Sequence, residues 1–226
     1  MSEAPADSVE AQLAALDLEP GRPIIVSDAD EVLFAFMAGF ERYLNQQGFN
    51  FLWDSYALLG NIRRATDGEA IEREEVQRLL ASFFVERTEH LEPIPGAAEA
   101  LAALSKRAQV VILSNVPHRQ RPARLKALAS NGMPYPLISN EGVKGPAVRA
   151  LADRVGAPVV FIDDIPRQHA SVRQAVADAF CLHFVGDARL ARLLEKAEAS
   201  DHRADVWDEA LPVIEARLTA LGYLLR

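Results

Sequence analysis

Short runs of Val, Ile, Leu and Phe that alternate with helical stretches constrain this chain more than any other feature. The runs cover residues 110–113, 137–138, 159–162 and 180–185. Helical periodicity fills the intervals 121–129, 146–155 and 169–176, the second with proline at its first turn. A further run, Ile24-Ile25-Val26, stands earlier in the chain behind Pro23. Strands written as unbroken apolar runs are buried on both faces, and regular alternation with helices makes them parallel. The pattern predicts an α/β chain with a doubly wound parallel sheet. It also predicts a helix over 97–107, and two helices in the tail, 188–225, separated near Ser200-Asp201.

One region breaks the alternation. Phe36, Phe40, Tyr43 and Leu44, then Ile71, Val76, Leu79, Leu80, Phe83 and Phe84, recur at helical spacing. Between them, residues 48–68 are rich in aromatic and turn residues. Pro93-Ile94-Pro95-Gly96 punctuates the end of the region. The reading is an all-helical insertion over 36–92. The core is then discontinuous, 21–35 and 93–226, and 1–20 is a polar lead with a short helix over 8–16.

The chain has 226 residues, with 24 Lys+Arg against 32 Asp+Glu and a net charge of −8. That length suits one domain carrying an insertion. An acidic chain without a basic tract argues against nucleic acid as a partner. Its apolar stretches are too short to cross a bilayer, which argues against a membrane. The acidic first twenty residues lack the pattern of a secretory signal, so the expected location is cytoplasmic. The single cysteine, Cys181, excludes an intrachain disulfide and a Cys-built zinc site, and reads as a small buried hydrophobe.

In an open parallel sheet, ligands bind outside the carboxyl ends of the strands. Ile24-Ile25-Val26 runs into Ser27-Asp28-Ala29-Asp30-Glu31, 110–113 into Ser114-Asn115, and 159–162 into Asp163-Asp164. Four aspartates thus converge on one edge. Two unit charges 4 Å apart repel by about 4 kcal/mol at an effective dielectric of 20, so a positive group must hold them. Oxygen ligands without His or Cys favour Mg²⁺. Lys144 is positioned to add a permanent positive charge.

Asp28-Ala29-Asp30-Glu31-Val32 fits DxDx(T/V), Ser114 ends the second apolar strand, Lys144 stands before the fourth, and Ile162-Asp163-Asp164 closes it. In order, spacing and strand context this resembles the four-motif pattern of the haloacid dehalogenase superfamily, over residues 22 to 185. The insertion resembles that superfamily's type C1 cap. The resemblance implies that Asp28 attacks phosphorus to form an aspartyl-phosphate. It makes Asp30 the acid that protonates the leaving oxygen and the base that activates water. Mg²⁺ would be held by Asp28, the backbone carbonyl of Asp30, and Asp164, with Asp163 as a ligand through water or a supporting partner. Ser114 and Asn115 would meet the phosphoryl oxygens, and Lys144 would orient Asp28. Members that cleave C–halogen or C–P bonds lack an Asp at the place of Asp30, so its presence implies phosphate-ester chemistry. Glu31 departs from the Gly frequent at its position.

Other residues carry weaker signals. Arg63 and Arg64 are candidates to meet an anionic group of the substrate. His118 and Arg119 fall on an entrance loop. Trp53 and Phe51 read as cap core, Trp207 as packing of the tail, and His169 as the opening of a helix. The expected function is Mg²⁺-dependent hydrolysis of a small phosphorylated metabolite. A phosphomutase and a non-catalytic binding protein are the alternatives.

Overall fold

The computed structural model describes residues 8–223. The polar lead is therefore described from Ser8 onward, and the last residues of the expected tail helix, 224 and 225, lie outside the described range. Six strands form one sheet: β1 (Ile24–Ser27), β4 (Gln109–Ser114), β5 (Leu137–Ser139), β6 (Val159–Asp163), β7 (Phe180–Phe184) and β8 (His202–Ala204). Their order is β5-β4-β1-β6-β7-β8, and every pairing is parallel. The chain moves outward from β1 through β4 to β5, then returns to the other side of β1 with β6. β1 is thus the switch point, and its carboxyl end opens between those of β4 and β6.

The pleat explains the unbroken apolar runs. Ile25, Ile112, Val160, Ile162, Leu182 and Phe184 point to one face and join one core cluster. Ile24, Val26, Val111, Leu113, Phe161 and Cys181 point to the other and join a second. Each cluster is covered by helices. α6 (Gly145–Val155) packs on the second, with Ala147, Val148, Leu151 and Val155 buried at helical spacing. α4 (Ala97–Leu104) and α9 (Trp207–Ala220) cover the first through Leu101, Leu104, Ile214 and Leu218. α1 (Val9–Ala14) is capped by Ser8, whose Oγ accepts the Ala11 amide, and buries Leu13 in the second cluster. Trp207 is 1 % exposed, and its indole N–H donates to the Val32 carbonyl at 2.9 Å. It packs the tail helix against the loop that follows β1, as its sequence position suggested.

Two expectations need correction. The insertion is not all-helical. Between α2 (Phe36–Gln46) and α3 (Arg73–Arg87) lie β2 (Phe49–Phe51) and β3 (Ile62–Arg64), an antiparallel pair in the register Phe49↔Arg64 and Phe51↔Ile62. Phe49-Asn50-Phe51 alternates buried, exposed, buried, a period of two over too few residues to stand out beside the flanking helices. The tail also carries β8 between α8 (Ala188–Leu193) and α9. This edge strand is His-Arg-Ala, with its first two residues only half-buried, so it has no apolar run to announce it.

The insertion is held to the core by aromatic packing. The Phe36, Phe40 and Phe83 rings lie 5.0 to 5.8 Å apart and are continuous with the first core cluster. A Cβ at Gly39 would fall 2.6 Å from Leu91 Cδ2, so the glycine makes room for that side chain against α2.

Gly145, which opens α6 directly after Lys144, meets the next helix, α7 (Pro166–Ala175), even more closely. A Cβ at this position would lie 2.4 Å from the Ser171 carbonyl oxygen. Because the obstacle is backbone, the two helices must separate to admit a methyl group. Gly145→Ala should therefore cost about 1–3 kcal/mol. The measurement is a lowered urea midpoint with an unchanged m-value.

Candidate active site

Asp28 follows β1 directly, and its amide donates to the Ile162 carbonyl at 2.8 Å, continuing the ladder with β6. The chain then turns tightly: the Leu33 and Phe34 amides both donate to the Ala29 carbonyl, and Glu31 to that of Phe34. Glu31 occupies the left-handed region at φ 58°, where a residue with a Cβ is strained. Its carboxylate is 3 % exposed and accepts the Met37 amide at 2.5 Å, capping the first turn of α2. Burial pushes the Glu31 carboxyl up to about 7. The side chain at this strained position thus ties the loop that follows β1 to the insertion.

Lys144 is the centre of the charge arrangement. It is 1 % exposed, and its Nζ lies 2.7 Å from Asp28 Oδ2 and 2.7 Å from Asp163 Oδ2. Its amide donates to the Gln168 side chain. Burial disfavours the ammonium, but the two carboxylates win and hold its pKa above the usual lysine value. Asp163 uses its other oxygen to accept the Ile165 amide at 2.9 Å. Asp164 accepts through Oδ2 from the Tyr56 hydroxyl of the insertion at 3.1 Å. Asp28 is pushed up to about 6, chiefly by burial, with Lys144 opposing and Asp163 adding to the rise. Asp164 is raised further, by burial and then by Asp163, Asp28 and Glu31. Carboxylate oxygens of Asp28, Asp163 and Asp164 lie within 4.8 Å of one another. Three carboxylates around one ammonium remain short of positive charge, and an all-oxygen donor set suits a hard divalent cation.

Asp30 has its own cation. Arg124, on α5 (Arg121–Ser130), is fully buried, and its Nη2 donates to Asp30 Oδ1 at 2.6 Å. The guanidinium stacks 4.9 Å from the centroid of the Phe34 ring. Burial raises the Asp30 carboxyl, and Arg124 opposes the rise. Nothing in the sequence singled out Arg124, which sits among the ordinary basic residues of a helix.

Ser114 is fully buried at the end of β4, and its Oγ accepts the Val116 amide at 3.2 Å. The Asn115 side chain donates to the Gly142 carbonyl and accepts from Asn140. Arg63 and Arg64, expected near the substrate, lie instead in β3. Arg64 pairs with Glu69 and Glu75 within the insertion, and neither arginine lines the cavity over Asp28. His118 contacts Ser139 and lies 3.4 Å from Glu141. Trp53 donates to Glu41 and packs in the insertion, as expected, with the Arg189 guanidinium 3.8 Å from its ring centroid. Arg189 also pairs with Glu41 and Asp187, and so ties α8 to the insertion.

From the sequence His169 marks only the opening of a helix, and His183 is one residue of an apolar strand run. Both are fully buried behind the aspartates. His169 Nε2 lies 2.9 Å from the Asp163 carbonyl, and His183 Nε2 lies 2.9 Å from that of Asp164. His183 Nδ1 accepts the Ala197 amide, so this imidazole is neutral with its proton on Nε2. Two histidines therefore fix the backbone that carries the Asp163 and Asp164 carboxylates. α7 opens at Pro166, three residues before His169.

Above Asp28 is a cavity of about 340 Å³, lined by Asp28, Asp30, Glu31, Asn115 and Asp164 below and by apolar side chains of the insertion and α8 above. No protein-family model matches the chain, and the curated proteins hold no match. Solved structures do match. A haloacid dehalogenase-like protein of Agrobacterium tumefaciens superposes with TM-score 0.63 at 16 % identity, covering 87 % of this chain and 99 % of that one. The chain has the haloacid dehalogenase-like fold. A hydrolase with this fold from Deinococcus radiodurans, solved with phosphate and sodium bound, matches at 0.56 and 18 % identity, over 91 % and 99 % of the two chains. A Thermotoga maritima protein assigned as a β-phosphoglucomutase matches at 0.55 and 17 %, over 86 % and 99 %. Within the haloacid dehalogenase-like fold, the sequence motifs and the buried acidic cluster fall on the same sheet edge. Among the described residues, no helix is long and apolar enough to cross a membrane.

Burial lowers the pKa of His169 from 6.5 to about 4. Its contribution to stability is therefore complete above pH 6.5 and is lost as pH falls towards 4, where the folded protein must accept the proton. His169→Phe removes this loss along with the bond to Asp163. The variant should be less stable than wild type at pH 7, and the gap should narrow by up to about 1.4 kcal/mol per pH unit between 6.5 and 4. Urea unfolding at matched pH values measures it, and a gap independent of pH would mean that His169 is not held neutral.

Proposed function

We propose that the chain is a Mg²⁺-dependent phosphatase of the haloacid dehalogenase superfamily, acting on a small phosphorylated metabolite through an aspartyl-phosphate on Asp28. One observation carries the reading: two carboxylates, two residues apart on one loop, are bound to different buried cations. Asp28 faces Lys144 at 2.7 Å and Asp30 faces Arg124 at 2.6 Å. Separate environments for neighbouring carboxylates are what a division into nucleophile and acid/base requires.

In this reading a carboxylate oxygen of Asp28 attacks phosphorus while Lys144 keeps it ionised and oriented. The phosphorus–oxygen bond to the leaving group breaks as Asp30 delivers a proton to that oxygen. Asp30 then takes a proton from water, whose oxygen attacks the acyl phosphate and releases inorganic phosphate and Asp28. Ser114 and Asn115, at the end of β4, receive the phosphoryl oxygens. A carboxylate oxygen of Asp28, the Asp30 carbonyl and Asp164 would hold the metal. Asp163 spends one oxygen on Lys144 and the other on the Ile165 amide, which suits it to hold Lys144 rather than to bind metal directly. When bound, Mg²⁺ would neutralise charge on the transferring phosphoryl group. Residues 36–92 act as the cap that covers the cavity and excludes water.

A phosphomutase is the second reading, supported by the fold match to the Thermotoga maritima protein. Transfer of phosphate between two hydroxyls of one sugar, in place of release, would favour it. A purely binding role fits poorly with four intact acids and a bridging lysine.

The primary test is p-nitrophenyl phosphate with and without Mg²⁺. Hydrolysis should depend on the metal, and Asp28→Asn should lower kcat by at least about a thousandfold. Asp30→Asn should slow alkyl phosphates by about 10²–10⁴-fold and p-nitrophenyl phosphate much less, since p-nitrophenolate leaves without a proton. Equal losses on both would remove Asp30 as the acid. Tyr56→Phe, which strips a hydrogen bond from Asp164, should raise the Mg²⁺ concentration for half-activation by about 10–100-fold. An unchanged metal requirement would place Asp164 outside the metal site.

A further inference from the structure

We propose that the site is selective for phosphate monoesters of small, uncharged and largely apolar alcohols. This rests on the phosphatase reading and goes on to name its substrate class. The walls above the carboxylates are largely apolar: Phe36 and Met37 from α2, Leu58 from the loop between β2 and β3, Phe84 from α3, Ile165 after β6, and Leu190 from α8. The hydroxyl of Tyr56, which also lines the cavity, is committed to Asp164. Among the described residues, no Lys or Arg lines the cavity, and every charged group that does is a carboxylate. Lys144 and Arg124, the cations nearest the chemistry, are buried beneath the loop and already bound to Asp28, Asp163 and Asp30.

An ester with a second anionic group would place that group against apolar walls and acidic residues with nothing to neutralise it. Arg63 and Arg64, the residues best suited to such a group, are outside the cavity, and Arg64 is committed to Glu69 and Glu75. A polyol would leave most of its hydroxyls unpaired against Phe36, Leu58, Phe84 and Leu190. An ammonium group is disfavoured too, because it would be stripped of water against the apolar walls. Glu31, the one wall carboxylate outside the proposed catalytic set, accepts the Met37 amide through Oε1. Its buried Oε2, which has no hydrogen-bond partner among the described residues, is the one acceptor left to offset that cost. An apolar leaving group, by contrast, gains by removing its own surface and that of the walls from water.

The test compares esters of similar leaving alcohols, so that proton delivery by Asp30 is equally demanding for each: n-pentyl phosphate, 4-carboxybutyl phosphate, 5-aminopentyl phosphate and ribose 5-phosphate, each with Mg²⁺. The pentyl ester should have the highest kcat/KM, by about 100-fold or more over the carboxylate and at least about tenfold over the other two. Leu58→Arg, which adds a cation to a half-buried wall position, should raise the carboxybutyl-to-pentyl ratio at least about tenfold. A carboxylate, amino or sugar ester that equals or exceeds the pentyl ester in wild type would overturn the proposal while leaving the phosphatase reading intact. No hydrolysis of p-nitrophenyl phosphate in the same preparation would overturn both. The wild-type ranking decides the matter even if the variant fails to fold.

Discussion

Lys144 lies where three chain segments meet, and its ammonium is the contact on which the arrangement depends. It bridges Asp28, at the end of the central strand, and Asp163, at the end of the adjacent one, from the start of the helix that follows β5. Taking three charges out of water is expensive, and mutual attraction repays it only with short contacts and with the remaining oxygens hydrogen-bonded. Both conditions hold here: each contact is 2.7 Å, and the Ala29 and Ile165 amides bond the two carboxylates. The pair of aspartates can therefore stay close together, with Asp164 beside them, and the cluster retains an excess of negative charge that a divalent cation would match.

The surrounding structure holds this centre largely through its backbone. His169 and His183 bind the carbonyls of Asp163 and Asp164. Trp207 binds the Val32 carbonyl, and the Gly186 amide donates to the Glu31 carbonyl. One oxygen of each aspartate is thereby left to face Lys144, Arg124 or Tyr56. The strained conformation of Glu31 fits the same scheme, since its side chain caps the helix that begins the insertion. Glu31 thus links the loop bearing Asp28 and Asp30 to the segment that covers them, beside the bond of the Ala35 amide to the Glu92 carbonyl.

The insertion supplies what the sheet cannot. Tyr56 reaches Asp164, and Phe36, Leu58 and Phe84 make the roof of the cavity apolar. An apolar roof over an acidic floor excludes water from the floor and strengthens each electrostatic contact there. Arg189, between Glu41, Asp187 and the Trp53 ring, fastens the roof to the core at a point away from Asp28 and Lys144.

The sequence by itself determined the parallel sheet and the acidic edge. Unbroken apolar runs report burial on both faces, and whatever follows such a run must emerge at the strand's carboxyl end, so Asp28, Asp30, Ser114, Asp163 and Asp164 were legible without coordinates. Lys144 was legible too, because its place before the last of these strands accompanies the acidic motifs. Tertiary structure alone decided which charges pair. Arg124 and Tyr56 are ordinary residues of a helix and a loop until folding brings them, from 94 and 108 positions away in sequence, against Asp30 and Asp164. It also decided that Arg63 and Arg64 turn away from the site, that β2 and β3 pair, and that His-Arg-Ala joins the sheet as an edge strand. The Arg124 and Tyr56 contacts depend on long-range approach, and local periodicity carries no information about which partner a side chain or a short strand will meet.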